Sequence, residues 1–280
     1  MFTTNPFAAL SASVSPDLMQ TYVIVMILLV VGGTIFDVLH KRSAAFFFDK
    51  SKSAEAARKR DVGGGEKIGI AVKTVAEDVL LSAEFCNPNR RIAHLLGMYG
   101  FVLFVLATVV IIFGYPGTAG PVIWAQLWHL GAVMVCVGGY WFWFFIRVDV
   151  AAEGNPWYRI VRADMFILSL LATCTFGLIW SALQSGGSGA ATLFLALFIA
   201  ASLVLFGGVV WSKFAHMFFK PAAAFQKRVM KADGSRENLP EIGDLSDPEL
   251  QKMFPDIPEY MGEKPGYMGL GIKRERPQHY

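Results

Sequence analysis

Residues 92–146 read IAHLLGMYGFVLFVLATVVIIFGYPGTAGPVIWAQLWHLGAVMVCVGGYWFWFFI, a run without a single lysine, arginine, aspartate or glutamate. A second such run covers 165–212. A membrane-crossing helix takes about 20 apolar residues, so each run accommodates two passes and a tight turn. The turns are legible as Tyr115-Pro116-Gly117-Thr118-Ala119-Gly120 and Gln184-Ser185-Gly186-Gly187-Ser188-Gly189. With the apolar segment Tyr22 to Leu39 ahead of them, the sequence predicts an all-α polytopic bundle of five transmembrane helices at 20–39, 93–114, 122–146, 164–183 and 191–213. Residues 1–19 carry Asp17 but no Lys or Arg, so the basic region of a cleaved signal peptide is missing and the first helix is expected to remain.

The distribution of charge says more than the net +3. Lys and Arg occur in every second connection: eleven in 41–92, then Arg147, Arg159 and Arg162, then the rest after helix five. By the positive-inside bias this predicts an outside N-terminus and a cytoplasmic C-terminus. Trp124 and Trp128 fit an interfacial belt at one end of helix three. The cluster Tyr140-Trp141-Phe142-Trp143 fits either a belt or a helix–helix contact. Cys86, Cys136 and Cys174 stand singly, which speaks against iron–sulfur or zinc ligation by this chain.

Three segments follow from this: an external 1–19, a membrane domain 20–219 including the cytoplasmic loop 41–92, and a cytoplasmic tail 220–280. In the loop, Gly63-Gly64-Gly65 lacks the Lys-Ser/Thr of a phosphate loop and reads as a joint. Beyond it, Ile68, Val72, Val75, Val79 and Leu80 recur at helical spacing from Lys67 to Ala83, an amphipathic helix for the membrane surface or a partner. The tail is too poor in branched apolar residues to build its own core. It repeats Tyr260-Met261-Gly262 as Tyr267-Met268-Gly269, and these four Tyr and Met side chains suit docking to a partner; an unoccupied disordered tail is the alternative.

Three histidines lie in or beside the charge-free runs. By the predicted topology His94 starts helix two and His216 ends helix five, so opposite chain directions bring both imidazoles to one depth. Facing histidines on different helices are what a six-coordinate b haem requires. Gly97 and Gly100 leave space beside His94 for a flat macrocycle, and Arg90, Arg91 and Lys213 lie where propionates would emerge. Interfacial histidines bonded to backbone or headgroups are the competing reading. His129, about two turns into helix three, has no second histidine at its depth. It is either satisfied by a carbonyl or hydroxyl, or holds a quinone head group. His40 and His279 are expected to be solvated.

The segment Glu84-Phe85-Cys86-Asn87-Pro88-Asn89-Arg90-Arg91-Ile92-Ala93-His94 running into Gly100-Phe101, together with Ser212-Lys213-Phe214-Ala215-His216-Met217, resembles the membrane cytochrome b subunits of the nitrate reductase gamma type. Within that group the chain is most similar to the membrane subunits of quinone-interacting oxidoreductase and heterodisulfide reductase complexes, and among those to the membrane anchors of adenylylsulfate reductase. The resemblance covers helices two to five. It implies a subunit, not catalytic on a substrate of its own, that passes electrons between a cytoplasmic iron–sulfur or flavin enzyme and the quinone pool of a bacterial cytoplasmic membrane. It also implies that His94 and His216 are the cytoplasmic haem pair. The family's second pair would fall at Phe104 and Phe198, so one haem b is expected.

The combined expectation is a five-helix anchor and electron conduit with a single inner-face haem. A purely structural anchor, in which His94 and His216 only pack, is the alternative. A transporter is weakened because the helices lack charged residues at mid-depth and show no half-repeat.

Overall fold

The computed structural model describes residues 1–40, 43–83, 87–149, 154–212, 216–235 and 246–253, with Phe85, Phe214 and Pro258. It is helical, with no strand among the described residues. In chain order come α1 (Pro6–Leu10), α2 (Pro16–His40), α3 (Ser43–Ala56), and α4 (Gly64–Thr74) continued by a π-helical stretch Val75–Leu80. Then follow α5 (Pro88–Val109), with a π-helical end Val110–Gly114, and α6 (Val122–Trp141), with a π-helical end Phe142–Ile146. A 3-10 turn, Arg162–Asp164, leads into α7 (Met165–Ser185), and α8 (Ala191–Gly207), α9 (His216–Ala232) and α10 (Pro248–Met253) complete the chain.

Four of these, 16–40, 88–114, 122–146 and 162–185, are long and apolar enough to cross a membrane, as expected of a multi-pass membrane protein. The turns between them form where glycine permits a positive φ, at Gly117, Gly120 and Gly187. α8 is apolar but has 17 residues, about 25 Å of helix against a hydrocarbon core of about 30 Å. Expected to run to 213, it stops at Gly207. The Gly208 N–H still bonds Val204 O, and then the N–H groups of Trp211 and Ser212 both turn back to Gly208 O, at 3.0 and 2.9 Å. Each glycine costs a helix about 1 kcal/mol relative to alanine, and two in succession end this one. His216 therefore begins α9 instead of closing helix five.

The chain forms two compact units. One comprises Met1–Ala45, Pro88–Asp149 and Asn155–Lys220; the other comprises Phe46–Asn87, Val150–Gly154 and Pro221–Tyr280. The loop placed by sequence inside the membrane domain thus groups, from Phe46, with the C-terminal segment.

In the first unit α5 and α6 meet backbone to backbone. A methyl added at Gly100 would lie 2.7 Å from Gly131 O, one at Gly131 2.6 Å from Phe104 N, and one at Gly138 2.6 Å from Ala93 O. Ala93, Gly100 and Ala107 on α5, and Gly131 and Gly138 on α6, each recur at sevens, so the small residues stay on one face. Trp128 is wholly buried on this core and donates Nε1–H to Thr108 Oγ1 at 3.1 Å. It is a core residue, not the belt residue expected; its indole finds a hydroxyl and has no need of an interface. The Tyr140–Trp143 cluster divides: Trp143 is buried beneath the Arg147 guanidinium, while Tyr140 is exposed and bonds Thr175 Oγ1 at 2.8 Å.

Arg147, read from sequence as a topological charge, is buried. Its Nη2 donates to Asp164 and to Arg159 O, both at 2.7 Å, and its Nη1 to Pro156 O at 3.1 Å. This ties the 155–164 connection to the end of α6. The leading segment is likewise part of the core. Asn5 caps α1 through Phe7 N–H and donates to Thr118 O, Phe7 packs edge-on against Trp128 and Trp180, and Gln184 donates to Pro6 O at 2.6 Å.

In the second unit Arg228 of α9 donates to both Asp78 oxygens and to Glu77, at 2.8–3.0 Å. Arg60 pairs with Glu66 and holds that carboxyl below its usual range through the hydrogen bond. The amphipathic helix expected from Lys67 is α4 and its π continuation, with Ile68, Val72 and Val75 exposed. The segment expected as tail contains most of α9 and all of α10; Tyr260, Met261, Tyr267 and Met268 lie outside the described residues.

Gly131→Ala should lower the melting temperature of the detergent-solubilised protein by several degrees, on an overpacking cost of about 1–3 kcal/mol. Gly97→Ala, whose new methyl would meet no atom of the described residues within 4 Å, should leave it near wild type.

Candidate functional site

α5 opens on Pro88, whose missing N–H costs nothing at the first helical position. Two turns of helix then place Arg90, Arg91 and His94, all half-buried, at that end of the bundle, with the Arg90 guanidinium 5.8 Å from the Phe142 ring centre. Gly97 is three residues from His94 and therefore on the same face. An added Cβ there would meet no atom of the described residues within 4 Å, so no described residue packs on α5 beside His94 at this turn. Gly100 is different. Its missing side chain is filled by Gly131, Met134 and Val135 of α6, so it serves helix contact and clears no space next to His94.

The chain leading to His216 reaches the same helix. Phe214 is buried and packs on Phe101 of α5, Phe166 of α7 and Phe206 of α8, with centroids 6.2, 5.4 and 6.2 Å away. Phe101 stands two turns along α5 from His94, about 10 Å. The side chain of His216 and all of Lys213 lie outside the described residues. Phe104 and Phe198, the positions that the resemblance pairs for a second haem, meet edge to face at 6.5 Å and are both buried.

His129 is fully buried on α6. Its Nδ1 lies 2.7 Å from Ala125 O and its Nε2 2.8 Å from Ser181 Oγ on α7. A carbonyl only accepts, so Nδ1 carries a proton, and in the neutral ring Nε2 accepts the Ser181 hydroxyl proton. Trp128 and Phe2 close over the ring at 4.9 and 5.3 Å. The imidazole is thus satisfied by a carbonyl and a hydroxyl, and a quinone carbonyl could bond it only by displacing Ser181. His40, expected in solvent, is exposed and stacked on Phe36. Asp37 is a functional candidate that the sequence reading passes over. It is buried and partnered one turn before the end of α2, and its signal is a lone carboxylate in an apolar run.

Compared with known proteins, the chain matches no family model, no curated protein sequence and no solved structure.

Ser181→Ala should destabilise the bundle by about 1–3 kcal/mol, because it leaves a buried imidazole nitrogen without a partner. Thermal denaturation in detergent reads this directly. The conservative Ser181→Thr should retain most of the stability.

Proposed function

We propose that this chain is a five-helix membrane anchor and electron conduit, with its N-terminus outside and its C-terminus in the cytoplasm, in a bacterial cytoplasmic membrane. α8 is the fifth span, short enough that the bilayer thins or α8 tilts less than its neighbours. One haem b is held by His94 and His216 near the inner face. Its partner is a cytoplasmic iron–sulfur and flavin oxidoreductase, of which adenylylsulfate reductase oxidising sulfite with AMP is the leading candidate, and its electron acceptor is quinone.

The observation that carries this reading is the Phe104–Phe198 contact. These positions are ten residues after His94 and eighteen before His216, and the resemblance pairs them as facing sites on two helices. Their meeting brings α5 and α8 together at the depth of Phe104; since α8 ends at Gly207, the approach of the His216 segment to α5 is supported by Phe214, which packs on Phe101. The face of α5 at Gly97, on which no described residue packs, supports the pairing further.

A bound haem supplies a one-electron relay between the two partners. The chain's own contribution is binding and placement. His94 and His216 hold the group, Gly97 admits its plane, and Arg90, Arg91 and Lys213 supply cations for its carboxylates. The exposed apolar face of α4 suits contact with the membrane surface or the soluble enzyme.

His94→Ala and His216→Ala should each abolish the Soret and α-bands of the purified protein while membrane insertion persists. Spectra unchanged in both variants, or absent from wild type, would leave a structural anchor. Truncation after Phe254, which removes Tyr260, Met261, Tyr267 and Met268, should release the soluble enzyme from membranes and spare the haem. Full retention of the enzyme would move its docking site to 41–92.

A further inference from the structure

The connection that leads from α6 into α7 contains Pro156-Trp157-Tyr158-Arg159-Ile160-Val161-Arg162. Its backbone is spent on the end of α6. Pro156 O and Arg159 O accept from the buried Arg147 guanidinium, and the Asp164 carboxylate accepts from Arg147 and from the Val161 N–H at 3.0 Å. The Asn155 N–H closes on Arg147 O, and the Arg159 N–H on Pro156 O. With its polar backbone groups turned to Arg147, the connection presents its side chains outward. Trp157, Tyr158, Ile160 and Val161 are all exposed, the first three by 57%, 69% and 64%.

So dense a run of large apolar side chains in the open marks an interaction surface. The surface it continues is that of a span. Trp157 lies 6.4 Å from Phe144, and Phe144 stacks on Tyr140 at 6.1 Å, both of them exposed on the last turns of the 122–146 span. In a membrane the exposed side of a spanning helix meets lipid, so the strip from Tyr140 through Phe144 to Trp157 and Tyr158 leads from acyl chains to headgroups. Tryptophan and tyrosine favour that boundary.

The arginines select the headgroup. Arg159 gives one Nη1–H to Asn155 Oδ1 at 2.8 Å, and neither it nor Arg162 has a carboxylate partner among the described residues. Asp164, two residues from Arg162, is already held by Arg147 at 2.7 Å. A guanidinium carries five donors in a fork that matches phosphate geometry, so two such groups stand ready for an anion beside the aromatic strip.

We propose that residues 156–162 form a binding site for an anionic phospholipid, with its acyl chains against Trp157, Ile160 and Val161 and its phosphodiester at Arg159 and Arg162. A protein is the other class of partner for an exposed apolar connection. The unbroken passage of the aromatic strip from span to connection favours lipid, because the part of it on α6 already belongs to a lipid-facing surface. The site requires only that α6 and α7 cross the membrane, and is independent of haem and quinone.

The test places the photoreactive residue benzoyl-phenylalanine at position 157 of the full-length protein, in nanodiscs of phosphatidylcholine with a minor fraction of phosphatidylglycerol. Lipid adducts are read by mass spectrometry. The same residue in place of Val102, exposed in mid-span on α5, reports the bulk composition. Adducts at 157 should carry phosphatidylglycerol over phosphatidylcholine in a ratio about fivefold above that at 102. Arg159→Gln combined with Arg162→Gln should bring the ratio at 157 down to that at 102 and leave lipid adducts in place. Equal ratios in the otherwise unchanged chain overturn the anionic site, and so does enrichment that survives the double substitution. Lipid adducts at 102 with none at 157 overturn it as well. Cross-linking of 157 to a polypeptide in native membranes makes the connection a protein-docking surface and overturns the proposal.

Discussion

The contact on which the bundle depends is the approach of α5 to α6 without side chains between them. Lipid tails are as apolar as leucine, so no hydrophobic force presses two membrane helices together, and dispersion at close range must do so. Gly100 against Gly131, and Ala93 against Gly138, provide that range over three turns. The remaining core is referred to this pair. Trp128 is held by Thr108 across the seam, Gly139 receives Leu171 of α7, and Gly177 of α7 lies against Trp128 and Phe198. Since Gly138 touches Ala93 O and Gly97 N, the same seam sets the position of the helical turn that carries His94. α2 has no such seam with α5, and an apolar cleft lined by these two helices and α8 is the result.

At the end of the bundle made by the 115–120 and 185–190 turns, the leading segment closes the core. Phe7 completes an aromatic cluster with Trp128, Trp180, Phe104 and Phe198, whose neighbouring centroids lie 5.1–6.5 Å apart. Polar ends are satisfied on the way in, Trp180 by Gln184 and Gln184 by Pro6 O. Residues that composition marks as an external leader thus belong to the fold, because one phenylalanine and two side-chain amides fit a gap between α6 and α7.

The membrane helices are legible in the sequence because a soluble chain of this length does not go some fifty residues without a charge, and the turns are legible because glycine stands where positive φ is needed. The end of α8 is not, since Gly207-Gly208 sits among Phe, Val and Trp, and apolar composition carries on where helical conformation stops. Gly100 reads as space beside His94 when taken with Gly97 alone. Its true role is visible only when Ala93, Gly100 and Ala107 are seen to share one face with the spacing of Gly131 and Gly138. His129 leaves two readings open because its decisive partner, Ser181, is 52 positions away on another helix. The cleft cannot be read from sequence at all, being a gap between three helices and not a pattern in any one.

Four hydroxyl groups of the bundle follow one rule, whereas Ser181 gives its proton to His129 on another helix. Thr108, Thr173 and Ser169 donate back to the carbonyl one turn earlier, and Ser202 to the carbonyl three residues earlier. A proton fixed on its own helix leaves the oxygen as an acceptor facing a neighbour. Thr108 spends that capacity on Trp128, and Ser202 on Tyr22. The donor of each pair then decides what remains. An indole N–H has no lone pair to offer, so the Trp128–Thr108 pair ends there. A phenol accepts as well as donates, so Tyr22 Oη, which meets both Ser202 Oγ and Ile199 O, joins α2 to α8 with a lone pair to spare. Both pairs thus use an aromatic side chain to join two helices through a hydroxyl that its own helix has already oriented.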